Sequence, residues 1–132
     1  MDSNSALMSV VSNLREKNKL LNNIFEITKA LECLSLDDDM SLGSFLSTRQ
    51  KTMDAVDALD KKTKQHINSL PVNLKNKINA LISPKGEPMS LDNKLQTDIF
   101  DANKNNMNLL KRIIAADERF NKKAKKHLEL RT

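Results

Sequence analysis

The 132-residue chain has one cysteine, two glycines, three prolines, four phenylalanines, and neither tryptophan nor tyrosine. Each scarcity removes a class of structure. A lone cysteine, Cys33, cannot close an intrachain disulfide, so the chain is expected in a reducing compartment, naturally the cytoplasm. With only Gly43 and Gly86, neither a phosphate-cradling loop nor a dinucleotide fingerprint can be assembled. So few glycines and prolines also mean few tight turns, and a sequence rich in Lys, Leu, Asn and Asp is written for long helices. No window approaches the ~20 apolar residues of a spanning helix, and the first thirty residues lack a basic segment followed by an uninterrupted apolar core. Neither membrane insertion nor a standard export signal is therefore expected. The length suits one domain, residues 1–132, with a single modest core.

What is present is charge, unevenly placed. The formal net charge is +5, but residues 35–60 sum to −4, while 61–90 and 111–132 each sum to +5. Such blocks suit intramolecular steering or a charged partner.

Apolar residues recur at the three-four spacing of amphipathic helices. Leu7, Val11, Leu14, Leu21, Ile24, Phe25, Leu31 and Leu34 define a helix over residues 4–34. That helix is about 45 Å long at the usual rise per residue, too long to stand without a partner along its length. Three aspartates, Asp37 to Asp39, favour a turn and then the positive end of a second helix. This helix, residues 40–69, carries a seam from Leu42 and Phe45 through Leu46, Arg49, Met53 and Val56 to Leu59, Thr63, Ile67 and Leu70. Asp57 with Lys61, and Asp60 with Lys64, are acid-before-base pairs expected on a solvated face. Pro71 ends it. A short helix over 72–82 follows, then a loop, Ser83 to Pro88, and a last long helix over 90–130 that begins at Ser90 as N-cap with Asp92 in its first turn. The expected fold is all-α: an antiparallel bundle or coiled-coil hairpin of three long helices plus one short one. Burial can be completed internally or by a second copy, and the sequence leaves both open.

Reaction chemistry finds little support. His66 and His127 lack metal-ligand spacing, and the Asp37–Asp39 run does not continue into the pattern of a calcium loop. No basic group or histidine adjoins Cys33 in sequence, so it is expected to be a small buried hydrophobe. No enzyme, metal or cofactor is implied. Lys122, Lys123, Lys125 and Lys126, with Arg119 and Arg131, could touch phosphates. Without Trp or Tyr, stacking platforms for single strands are missing, and cations in a last helical turn also complement the helix dipole.

The polar residues on apolar seams are the most informative. Asn18, Arg49 and Asn106 interrupt the three long stripes. They either fix helix register inside a core or orient a partner's amphipathic helix on an incompletely buried face.

The stretch LSTRQKTMDAVDALDKK, Leu46 to Lys62, resembles the arginine-containing second helix of small flagellar export chaperones of the FlgN type. In that helix a leucine-rich segment is followed by an arginine-glutamine pair and spaced acidic and apolar residues. IFDANKNNMNLLKRI, Ile99 to Ile113, is similar to that family's C-terminal helix, where asparagines alternate with aliphatics before a basic end. The resemblance implies a cytoplasmic chaperone without a reaction of its own. Such a protein holds the C-terminal helical segments of hook-filament junction proteins, prevents premature assembly and delivers them to the flagellar type III secretion apparatus. Carried onto this chain, the partner surface implied is Ile99, Asn103, Asn106, Leu110, Ile113 and Phe120 on the last helix. Arg49, Met53 and Val56 would join from the second. The competing expectations are a structural helical adaptor, a weak nucleic-acid binder, and the related filament-cap chaperone type with a different client.

Overall fold

The computed structural model describes residues 2–83 and 93–131. Most of the expected loop, and the expected cap at Ser90 with Asp92, lie outside the described residues. The chain is all-helical, with α1 at Ser3–Cys33, α2 at Asp39–Asn68, α3 at Val72–Leu81 and α4 at Lys94–Arg131. Among the described residues no helix is long and apolar enough to cross a membrane.

Short polar side chains set the helix starts. The Asp2 carboxylate accepts the Ser5 amide at 2.7 Å, and Asp38 accepts the Ser41 amide at 3.1 Å with Asp39 in the first turn of α2. For α4, Asn93 accepts the Gln96 amide at 3.0 Å. The Ser41 amide, then its hydroxyl, holds the Asp38 carboxyl below its ordinary value. A carboxyl whose pKa falls on folding stabilises the fold above its unfolded value, and that contribution is lost as pH falls through the folded value. Helicity at the start of α2 should therefore drop on acidification below the ordinary carboxylate range in the wild type. It should stay flat in Asp38→Asn, which retains a capping oxygen; NMR shifts of residues 39–42 read the difference.

Directions follow from cross-helix contacts. Lys17 meets Asp60 at 2.9 Å and Thr28 meets Arg49 at 3.1 Å, so α1 and α2 are antiparallel. Arg15 lies 3.8 Å from Asp98, and Arg119 binds Glu32, so α4 runs parallel to α1 and antiparallel to α2. Asp60, expected beside Lys64, is drawn to α1 instead. The central member is α1, which packs on both α2 and α4; no Cα of α2 comes within 8 Å of one of α4 among the described residues. Their shared face, away from α1, is thus wider than a close helix-helix contact.

Polar layers divide the core. At one end, Leu7, Val10, Leu14, Ile67, Ile78 and Ile99 form an apolar cluster. Asn106, 1% exposed, closes it: its amide donates to the Leu14 carbonyl and its oxygen accepts from Asn18, both at 2.9 Å. A second cluster follows, built on Leu21, Ile24, Val56, Leu109 and Ile113. Above it, Arg49 donates to the Thr28 hydroxyl and pairs with Asp117, while that hydroxyl donates to the Ile24 carbonyl at 2.7 Å.

The two ends are finished differently. Pro71 turns the chain so that α3 packs against α2 and α4 but not closely on α1, burying Ile78 and Leu81. A fourth helix therefore covers the α2–α4 face at this end. Toward the other end α2 has no buried residue before Val56, and Leu42, Phe45 and Met53 are only partly covered.

Candidate partner-binding groove

On the α2–α4 face, beyond the part α3 covers, lies a groove of about 280 Å³. Its floor is Leu21 and Ile24 of α1, one wall is Gln50, Met53, Val56 and Asp57 of α2, and the other is Leu110 and Ile113 of α4. The groove exists because α1 holds α2 and α4 apart, and because helical periodicity turns the i, i+3 and i+4 residues of both walls toward it. Its rim continues in apolar residues one turn on: Leu46 beyond Gln50 is 41% exposed, and Ile114 beyond Leu110 is 56% exposed. Apolar side chains in an open concavity, flanked by polar ones, are a composition common to binding surfaces. Among the described residues, no three His, Cys, Asp or Glu side chains gather as metal ligands would.

Of the nine residues expected to face a partner, the structure brings four together here: Met53, Val56, Leu110 and Ile113. Arg49 stands just above them, spent on Asp117 and Thr28. Asn103 lies under α3, its amide 3.4 Å from the Leu81 carbonyl, and Phe120 is half-buried farther along α4. Ile99 and Asn106 are corrections. Both are buried against α1, Ile99 in the apolar cluster with Leu7, Val10 and Leu14, and Asn106 on the Leu14 carbonyl and Asn18. Asn18, Arg49 and Asn106 likewise find partners within the chain, which is what residues fixing helix register do.

The structure also brings in residues that the sequence did not single out. Asp117 and Thr28 complete the Arg49 site. Asp117 was findable: it lies four residues after Ile113, on the same stripe, and a guanidinium on an apolar seam needs a carboxylate. Cys33 is a further correction, being exposed past the last core residue of α1, Leu31.

Much of the basic end of α4 is engaged in the fold. Arg119 makes two bonds to the Glu32 carboxylate, at 2.9 and 3.1 Å, which raise its pKa further. The Lys123 ammonium donates to the carbonyls of Glu32 and Leu34, capping the C-terminal end of α1. His127 stands 3.6 Å from Asp37 of the α1–α2 turn. Lys122, Lys125 and Lys126 remain exposed, without aromatic groups interleaved among them.

No family model, curated protein or solved structure matches the chain.

Proposed function

We propose that this chain is a helix-binding chaperone without catalytic activity, which covers an amphipathic segment of a partner protein in the groove between α2 and α4. The observation that carries this reading is α3. The same α2–α4 face takes a ten-residue amphipathic helix of the chain itself at one end, while at the other end Met53, Leu110 and Ile114 stay partly or largely exposed. A helix laid there would continue the four-helix packing that α3 begins, with apolar groups at i, i+3, i+4 and i+7 seated on the groove floor. Such a partner buries surface that would otherwise drive its own premature association, and a groove of modest size can release it.

The sequence resemblance in Leu46 to Lys62 and Ile99 to Ile113 supplies the client class: the C-terminal helical segments of hook-filament junction proteins, held in the cytoplasm and passed to the flagellar type III secretion apparatus. Isothermal titration of the folded chain with junction-protein C-terminal segments, and with filament-cap segments as comparison, tests this. Leu46→Asp combined with Ile114→Asp is expected to weaken junction-segment binding at least tenfold, about 1.4 kcal/mol, while the thermal midpoint changes little, since both side chains are on the rim. Binding of neither client class by the wild type would overturn the flagellar assignment.

A further inference from the structure

Charge does not define what the groove takes, because its rim carries both signs, Asp57 and Glu118 beside Lys61 and Lys111. The floor is more selective. On α4, Asn103, Leu110 and Asp117 are seven residues apart. At about 100° per residue a step of seven falls about 20° short of two turns, so the three stand in one row along the α2–α4 face. On α2, which runs the other way, Arg49 stands seven residues before Val56. The apolar floor around Val56 and Leu110 is thus bounded by Asn103 on the α3 side and by the Arg49–Asp117 pair on the open side.

At the α3 side the polar residue is answered by the helix lying over it. Asn103 donates its amide to the Leu81 carbonyl of α3 at 3.4 Å, one of the last-turn carbonyls that a helix leaves unpaired. At the open side the polar groups still lack such an answer. Arg49 spends Nε on Thr28 and Nη2 on Asp117 Oδ2. Its Nη1 and the Asp117 Oδ1 have no hydrogen-bond partner among the described residues. Neither atom is sealed from water, since the buried side-chain atoms left unpaired among the described residues are Asn13 Nδ2 and His127 Nε2. A helix seated over Val56 and Leu110, continuing the packing of α3 and running on past Arg49, would cover both atoms and strip their water.

We propose that the groove selects an amphipathic helix whose apolar stripe is interrupted by one asparagine or glutamine, seated on the Arg49–Asp117 pair. This rests on the helix-binding reading above and gives its partner one polar position. A carboxamide supplies what the pair lacks: its NH2 donates to Asp117 Oδ1 and its carbonyl accepts from Arg49 Nη1. Leucine at that position would strand two atoms of charged groups, which together cost more than one leucine side chain gains by burial. Lysine would set a second cation against a single carboxylate, and aspartate a second anion beside Asp117. A lone polar residue in an apolar stripe also fixes the register in which the helix lies, as Asn18 and Asn106 do between α1 and α4.

The probes are synthetic peptides of about four helical turns with a leucine stripe at i, i+3, i+4, i+7 and i+11. One is all-leucine, and the others carry a single asparagine moved through the stripe, so that one of them meets the pair whichever way the helix lies. Fluorescence anisotropy with the full chain should show one asparagine position binding about fivefold or more tighter than the all-leucine peptide, and lysine or aspartate at that position binding more weakly than asparagine. In Arg49→Leu/Asp117→Leu the order should reverse, with the all-leucine peptide tightest. With that asparagine's side-chain amide labelled with 15N, its NH2 signals should shift downfield on binding to the wild type, a readout independent of how well the variant folds. An all-leucine peptide as tight as every asparagine peptide, lysine or aspartate matching asparagine, amide signals that do not move, or an asparagine preference kept in the double variant each overturns the polar position and leaves the groove standing. Failure of every peptide to bind overturns the helix-binding reading itself.

Discussion

Asn106→Ala is expected to destabilise the protein by about 2–3 kcal/mol, near the upper end of ordinary single substitutions. The side chain is 1% exposed and is the hinge of a three-member network that joins the Leu14 carbonyl and the Asn18 amide of α1 to α4. Truncation removes both bonds, leaves a space between the two apolar clusters, and strands the Asn18 amide in a partly buried position. The cost comes from that orphaned group more than from the lost bonds, because each neutral hydrogen bond has a net worth of only about 1 kcal/mol. The double variant Asn18→Leu with Asn106→Leu separates these terms: it removes every unpaired donor, so it is expected to recover most of the loss. Urea denaturation monitored by circular dichroism measures both. A single variant as stable as the wild type would show that the layer contributes nothing to stability. A double variant no better than the single would show that side-chain volume, not polarity, governs the site. If the layer specifies register, the double variant will also lose the sharp dispersion of its NMR spectrum, as a core without a polar index can slide.

The second large effect is expected at the Arg49 site. Asp117→Ala removes the carboxylate and leaves the guanidinium, itself 16% exposed at the side chain, with only the Thr28 hydroxyl as a partner. Breaking a fully buried pair costs about 3–5 kcal/mol. Asp117 is a third exposed, so water offsets part of this and about 2 kcal/mol is expected. Arg49→Leu paired with Asp117→Leu should be close to wild type in stability, because two apolar groups replace two desolvated charges. A double-mutant cycle in guanidinium chloride would hide the Coulombic part by screening, so urea is the denaturant of choice. Additive single effects across the cycle would show that the two charges do not act together. The pair also bridges α2 and α4 just above the groove, so the double variant probes whether the separation of the walls depends on it: peptide affinity should shift in Arg49→Leu/Asp117→Leu even where stability does not.

The helices were legible because their causes are local. The stripe Leu7, Val11, Leu14, Leu21, Ile24 repeats along α1, Asp38 and Asp39 start α2, and Pro71 stops it; each acts within a turn or two, and the first three helices end within one residue of their expected bounds. Asp60 shows where locality fails, since Lys64 stands four residues away in sequence and Lys17 of α1 takes the contact. Partner surface was less legible. Ile99 and Leu110 obey the same periodicity on the same helix, yet one is wholly buried and the other lines an open groove. Periodicity reports that a residue faces something apolar, and burial within a chain and burial against another chain produce the same pattern.

Composition, capping and apolar spacing, read from the sequence alone, determined an all-helical chain, the bounds of its first three helices, and the polar residues that interrupt its seams. Only the tertiary structure decided that Asn18 pairs with Asn106 and Arg49 with Thr28 and Asp117 within the chain, that α3 covers one end of the α2–α4 face, and that Met53, Leu110 and Ile114 leave the other end open. The physical reason is the separation of α2 and α4 by α1. That distance is set by side chains packing from three helices at once, and no local stretch of sequence encodes it.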